Sequence, residues 1–315
     1  REGLHPWPRS RRSKMERTVD GKVLITGGSG RMGRYVAAEL GPTGCPIRVF
    51  DVKRPDYEGV EYVCGDLNKI EDVIAALDGI DAVIHLAAVP GETGEAGRIF
   101  GINVDGTFNV LEACARKGVN KVVFASSVCV YGVIRPSTKP KLQYLPIDED
   151  TPLMSEYTYG TSKIIGERLC QTYSLRYGMK TTSLRIATVM FPESQIWKPC
   201  IDGLDNPEHQ FMPGVPVSAI FWQYVHVKDV AQAFRLALES LSHQQEDFQA
   251  YNIGAADALC AVPSIDIIKA YFPELSYLKD PMGFADGKNA PLFGIAKARR
   301  FLGYRPRFSW QDLCR

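Results

Sequence analysis

The chain is 315 residues long, with hydrophobic residues at 45%, charged residues at 23% and a formal net charge of +1. That length buries a full core without disulfides, and a charge so near zero supplies no field to attract nucleic acid or a membrane surface, so neither is expected as a partner. The eight cysteines are scattered with no C-x-x-C pair, which argues for reduced thiols and a cytoplasmic setting, and against a disulfide framework or a metal site.

Residues 1–19, rich in Arg, Ser and Pro, read as a disordered tail or as an extension ahead of a natural start at Met15. A short β-branched run, Lys22 to Thr26, then predicts a strand, followed at once by a glycine-rich turn and a helix from Arg31 to Leu40. The alternation continues with strands at Ile47–Asp51 and near Glu61–Cys64, a helix at Ile70–Leu77 and a strand at Ala82–His85. A helix at Asn103–Lys117, a strand at Lys121–Ala125, a helix at Tyr159–Tyr177 and a strand at Thr181–Ile186 complete the regular part. Strands alternating with helices require right-handed crossovers, so the fold class is α/β, a Rossmann doubly wound parallel sheet. From Phe191 to Trp222 repeated prolines predict loop, and a strand and helix at Tyr224–Leu238 and a strand at Tyr251–Ile253 follow. No apolar stretch reaches the length of a membrane span.

The run Thr26-Gly27-Gly28-Ser29-Gly30-Arg31-Met32-Gly33 spaces Gly27, Gly30 and Gly33 as G-x-x-G-x-x-G between the first strand and first helix. Glycine there permits a tight turn and lets backbone N–H groups, those of Arg31 and Met32 included, approach a pyrophosphate at a helix N-terminus. Asp51 closes the second strand about twenty residues further on, where a carboxylate accepts both hydroxyls of an adenosine ribose. That carboxylate would repel a 2′-phosphate, so NAD is expected in preference to NADP, with Lys53 and Arg54 as the residues that weigh the other way.

In TGGSGRMG (26–33), GDL (65–67), HLAA (85–88), NVDGTFNVLEA (103–113), FASSVCVYG (124–132), YGTSK (159–163), YVHVKDVA (224–231), YNIG (251–254) and KARRFLGYRP (297–306) the chain resembles the extended short-chain dehydrogenases. These form the NAD-dependent epimerase/dehydratase family, and the resemblance covers essentially all of residues 20–313. It implies that Asp66 and Leu67 flank the adenine, that His85 and the following Leu86, Ala87 and Ala88 line the dinucleotide, that Asn103 organises the cofactor site and that Ile186 lies against the cofactor. It also implies a cofactor domain of residues 20–190, with 224–254 returning to it. A smaller C-terminal substrate-binding lobe would comprise 191–223 and 255–315. A homodimer is expected, because relatives pair the helices 103–117 and 159–177 across a two-fold axis.

Catalysis is expected from Ser127, Tyr159 and Lys163. Tyr159 and Lys163 stand one turn apart on a helix and share a face, so the ammonium is placed to lower the phenol's pKa and to bond the nicotinamide ribose. Ser127 occupies the family's Ser/Thr position and would bond the reacting oxygen, with Val128, Cys129 and Thr188 beside the substrate. Tyr157 lacks a lysine at that offset and is the weaker acid/base candidate. His85 is expected to be locally bonded and to have no proton-transfer role.

Departures from the family narrow the chemistry. Val128 and Cys129 stand where several 4,6-dehydratases carry Asp-Glu, so water elimination is not expected. Trp222 stands where nucleotide-sugar epimerases commonly have an arginine for the diphosphate, and Thr188 where they have asparagine. A small carbohydrate without a nucleotide, such as a sugar, sugar acid or polyol, is therefore the expected substrate of an NAD-dependent oxidoreductase. FASS and LRI-x-x-x-FP resemble the uronate dehydrogenases, although Lys198 is the only cation near the stretch after Phe191. A nucleotide-sugar epimerase with tightly held NAD and a noncatalytic dinucleotide-binding protein are the alternatives.

Overall fold

The computed structural model describes residues 21–91, 95–134, 142–193, 206, 210–212, 215–275, 277–284 and 289–314. The expectations for residues 1–19 and for Lys198 lie outside the described residues. Strands β1 (Val23–Thr26), β2 (Ile47–Asp51), β3 (Glu61–Cys64), β4 (Ala82–His85), β5 (Lys121–Ser127) and β6 (Lys180–Ile186) alternate with helices except between β2 and β3, which a loop joins. The helices are α1 (Arg31–Leu40), α2 (Ile70–Ala76), α3 (Ala96–Phe100), α4 (Gly106–Lys117) and α5 (Thr158–Tyr177). Further on come β7 (Val189–Met190), the antiparallel pair β8 (Gln210–Met212) and β9 (Val215–Pro216), β10 (Val225–His226), α6 (Val227–Ser240) and β11 (Phe248–Ile253). Helices α7 (Ser264–Tyr271) and α8 (Ala296–Phe301) follow.

Seven strands form one sheet in the order β11-β6-β5-β4-β1-β2-β3. Every pairing in it is parallel. The strand period of two divides its side chains between two cores. Val23, Ile25, Val49, Ile84 and Val123 pack with Val36 of α1 and Phe234 of α6 on one face. Leu24, Phe50, Val83, Val122 and Phe124 pack with α2, α4 and α5 on the other. A third cluster lies outside the sheet and joins Val128 and Tyr131 to Trp222, Phe272, Phe293 and Trp310.

Two boundaries depart from the sequence expectations where they matter. Strand β5 runs on to Ser127 instead of stopping at Ala125, because Ser126 and Ser127 continue the parallel ladder opposite Arg185 and Ile186. The helix expected from Asn103 starts earlier, as α3, and passes through a π-helical turn at Gly101–Asp105 before α4. Such turns carry one extra residue per turn and recur at functional sites. No helix among the described residues is long and apolar enough to cross a membrane.

Candidate active site

Strand order reverses between β1 and β4, and at such a point the loops leaving neighbouring strands splay to opposite faces and open a crevice at the carboxyl edge. A cleft of about 770 Å³ lies there, within the range of small-molecule sites. Its floor begins with the glycine turn. Gly27 has φ +69, and a Cβ on it would sit 2.6 Å from Ala87 Cα. A Cβ on Gly33 would sit 2.2 Å from the Gly28 carbonyl oxygen, so that glycine lets α1 close down on the turn. Gly30 caps α1 in an extended conformation with no side-chain cap bond and no acidic residue in the first turn. Gly30, Arg31 and Met32 line the cleft, so the unpaired N–H groups of that first turn are open to an anion. The cradle therefore fits the pyrophosphate of a dinucleotide.

At the far end Asp51 lines the cleft with Asp66 and Leu67. Its carboxylate accepts the Ser29 N–H at 3.1 Å and the Lys53 N–H at 3.3 Å, which holds it against the glycine turn. Arg54 stacks over the Tyr62 ring at 5.3 Å. Arg31 stacks on Phe191 at 3.9 Å and lies 3.7 Å from the Glu193 carboxylate.

The other arm of the cleft brings Ser127, Val128 and Cys129 from the end of β5 against Tyr159 and Lys163 of α5 and Ile186 and Thr188 after β6. The Ser127 hydroxyl oxygen accepts the Cys129 N–H at 3.2 Å. Lys163, 4% exposed, donates to the Ala125 carbonyl oxygen at 2.8 Å, and burial draws its ammonium down to about 8. Burial pushes the Tyr159 phenol well above its ordinary value; the neighbouring Cys129 thiol adds to this, and a hydrogen bond from Ser127 opposes it. Burial, not the lowering expected from Lys163, thus dominates the phenol and favours its protonated form.

His85 points away from the cleft. Its Nδ1 lies 2.6 Å from Thr26 Oγ1 and its Nε2 3.0 Å from Thr107 Oγ1. Because the Thr107 hydroxyl donates to the Asn103 carbonyl, it accepts from Nε2–H, and Thr26 donates to Nδ1. Burial, then the Lys163 charge, draws the imidazole down to about 3, so it stays neutral.

Behind β5, the Ser126 hydroxyl donates to Glu167 at 2.6 Å, and Glu167 pairs with Arg185 at 2.8 Å. Arg185 also donates to the Tyr131 hydroxyl, which donates to Asn252 at 2.7 Å. All five side chains are buried. Charges desolvated to this degree are tolerated only when paired and fully hydrogen-bonded, so the chain ties β5, α5, β6 and β11 into one rigid frame.

Of the residues expected at the site, all line the cleft except Gly33, Asn103 and His85, whose ring is turned into the threonine pair. Gly33 acts through close packing on Gly28. Asn103, carried inward by the π turn, accepts the Val89 N–H at 2.8 Å and donates to Ser162 Oγ at 3.0 Å, fixing the wall segment that begins at Val89. Trp222 does not face the cleft: it is 1% exposed and packs edge-on against Tyr271 at 4.7 Å. Its neighbour Gln223 lines the cleft instead, together with Ser126 and Phe191. Nothing in the local pattern around Trp222, Gln223 and Tyr224 signals which of them faces the ligand, because a turn sets their direction.

The model of the NAD dependent epimerase/dehydratase family matches residues 23–254. The UDP-glucose 4-epimerase of Bacillus subtilis is 29% identical over 334 residues, spanning 93% of this chain and 94% of that enzyme. The uronate dehydrogenase of Pseudomonas syringae pv. tomato is 35% identical over 179 residues, a match that spans 55% of this chain and 61% of that enzyme, less than two thirds of its length. Among solved structures, the Thermus thermophilus UDP-glucose 4-epimerase in complex with NAD superimposes with a TM-score of 0.65 at 25% identity, covering 92% of this chain and 96% of that one.

Proposed function

The chain belongs to the NAD-dependent epimerase/dehydratase family of extended short-chain dehydrogenases, and from that membership we propose that it is an NAD-dependent oxidoreductase interconverting a hydroxyl and a carbonyl on a small carbohydrate. The observation that carries the reading is the meeting of Ser127, Tyr159 and Lys163 in one cleft. Among the described residues of that arm, Val128, Cys129, Ala187, Thr188 and Gln223 carry no charge to meet a diphosphate, while Arg31 and Arg98 also line the cleft.

In reduction, the protonated Tyr159 phenol gives its proton to the carbonyl oxygen of the substrate while Ser127 bonds the same oxygen and orients it. In oxidation the roles reverse, and Tyr159 must first give up its proton. When bound, NAD supplies the hydride acceptor and, in its oxidised form, a positive charge beside the phenol. Lys163 supports the phenolate from the same helix face and is placed to hold the adjoining ribose. Gly27, Gly30, Arg31 and Met32 bind the pyrophosphate, and Asp51 selects NAD over NADP by repelling a 2′-phosphate.

A second reading, a nucleotide-sugar epimerase that retains its NAD, is favoured by the near full-length similarity to the B. subtilis enzyme. A noncatalytic dinucleotide-binding role is opposed by the complete Ser/Tyr/Lys set. The test is to incubate the protein with NAD and, separately, L-arabinose, D-galactose, D-galacturonate and UDP-glucose, following NADH absorbance and the sugar products. NADH formed in proportion to a free sugar or sugar acid is the expected result. Conversion of UDP-glucose without net NADH would establish the epimerase instead.

A further inference from the structure

Gln223 and Thr188 form a pair whose hydrogen-bond direction is fixed by chemistry. The Thr188 backbone N–H can only donate, and the Gln223 atom 2.7 Å from it is therefore Oε1. This leaves Nε2, which can only donate, 2.6 Å from Thr188 Oγ1. The Thr188 hydroxyl thus accepts from Gln223 and must send its own proton elsewhere, and both residues line the cleft beside Ser127 and Tyr159.

A second observation shows that the backbone is bent to aim Gln223 there. Phe221 and Trp222, which precede it, both lie in the left-handed region at φ 57 and 49, a conformation that bulky residues rarely adopt and that accumulates at functional sites. The indole N–H of Trp222 is buried with no hydrogen-bond partner among the described residues, a further cost of the same turn. The turn is pinned by the Phe221 N–H to Ser218 and by the Leu259 N–H to the Trp222 carbonyl, at 2.9 and 2.8 Å. Gln223 itself is 4% exposed.

Resting on the oxidoreductase reading, we propose that Gln223 is a positioning residue that locks Thr188 as a hydrogen-bond donor to a neutral acceptor oxygen of the substrate, a ring or hydroxyl oxygen of a sugar. It acts through Thr188 and touches no reacting atom.

The test compares Gln223→Glu, Gln223→Met, Thr188→Val and Thr188→Ser using whichever of L-arabinose, D-galactose, D-galacturonate and UDP-glucose the unaltered protein turns over, with NAD affinity measured by fluorescence quenching. Gln223→Glu still accepts from the Thr188 N–H but draws the hydroxyl proton to itself, so KM should rise about tenfold, the loss of one neutral hydrogen bond, with kcat and NAD affinity near normal. Thr188→Val should match it, Thr188→Ser should restore most of the loss, and Gln223→Glu should add nothing in the Thr188→Val background. If the glutamate variant fails to fold, Gln223→Met takes its place in the same cycle. An active parent whose variants melt at lower temperature but keep its KM would overturn the positioning role and leave the oxidoreductase reading intact. A parent that binds NAD yet turns over none of the four sugars would overturn both.

Discussion

Lys163 Nζ lies 5.7 Å from the centre of the Tyr159 ring and donates to the Ala125 carbonyl oxygen. The two side chains share one face of α5, yet burial dominates both, raising the phenol and lowering the ammonium. Burial therefore favours the protonated phenol, the form that the proposed reduction requires. Replacing Tyr159 by Phe removes the proton and little volume, so turnover should fall by about a hundredfold or more while NAD affinity survives. Single-turnover hydride transfer checks this. Near-normal rates would transfer the role to another group, and Tyr157, an exposed residue at the start of α5, would be examined next.

The depressed Lys163 ammonium also predicts a pH-dependent stability. Its pKa falls from an ordinary 10.5 in the unfolded chain to about 8 in the fold, so below about 8 both states are protonated and the fold carries the whole desolvation penalty. Between those values the unfolded chain binds more protons, and stability rises with pH. Lys163→Met should therefore stabilise the cofactor-free protein at pH 7, by up to about 3 kcal/mol less the lost bond to Ala125. That advantage should shrink as pH rises from 8 towards 10.5. Chemical denaturation at several pH values reads the difference, and a gap independent of pH would contradict the assignment.

Asp51 receives two backbone N–H groups and faces the cleft. Asp51→Ala should weaken NAD binding by about tenfold or more, from the lost charge-assisted bonds, while NADP binding is less affected because a repulsion is removed too. Calorimetry with both cofactors measures the ratio. Tighter NADP binding by the unaltered protein would refute the preference.

Phe108 on α4 is 44% exposed, and Leu175 and Tyr177 near the end of α5 are 87% and 47% exposed. Leu111, also an apolar position of α4, is instead buried against the sheet. We expect the exposed set to be covered by the same helices of a second copy, so Phe108→Asp with Leu175→Asp should convert a dimer to a monomer in light scattering at micromolar concentration. A monomeric parent would refute this.

By itself the sequence determined the α/β alternation, the cradle at Gly27, Gly30 and Gly33, Asp51 at the end of β2, and Tyr159 and Lys163 on one helix. Each of these is a local pattern, set by the period of a strand or helix or by the conformational freedom of glycine. Only the tertiary structure decided that His85 turns away from the cleft into a threonine pair, that Glu167 and Arg185 brace β5 from behind, and that Asn103 holds the wall at Val89. It also decided that Gln223, and not Trp222, reaches the cleft. These outcomes depend on hydrogen-bond direction and desolvation between residues far apart in the chain, and in the case of Gln223 on two left-handed residues that no local propensity favours.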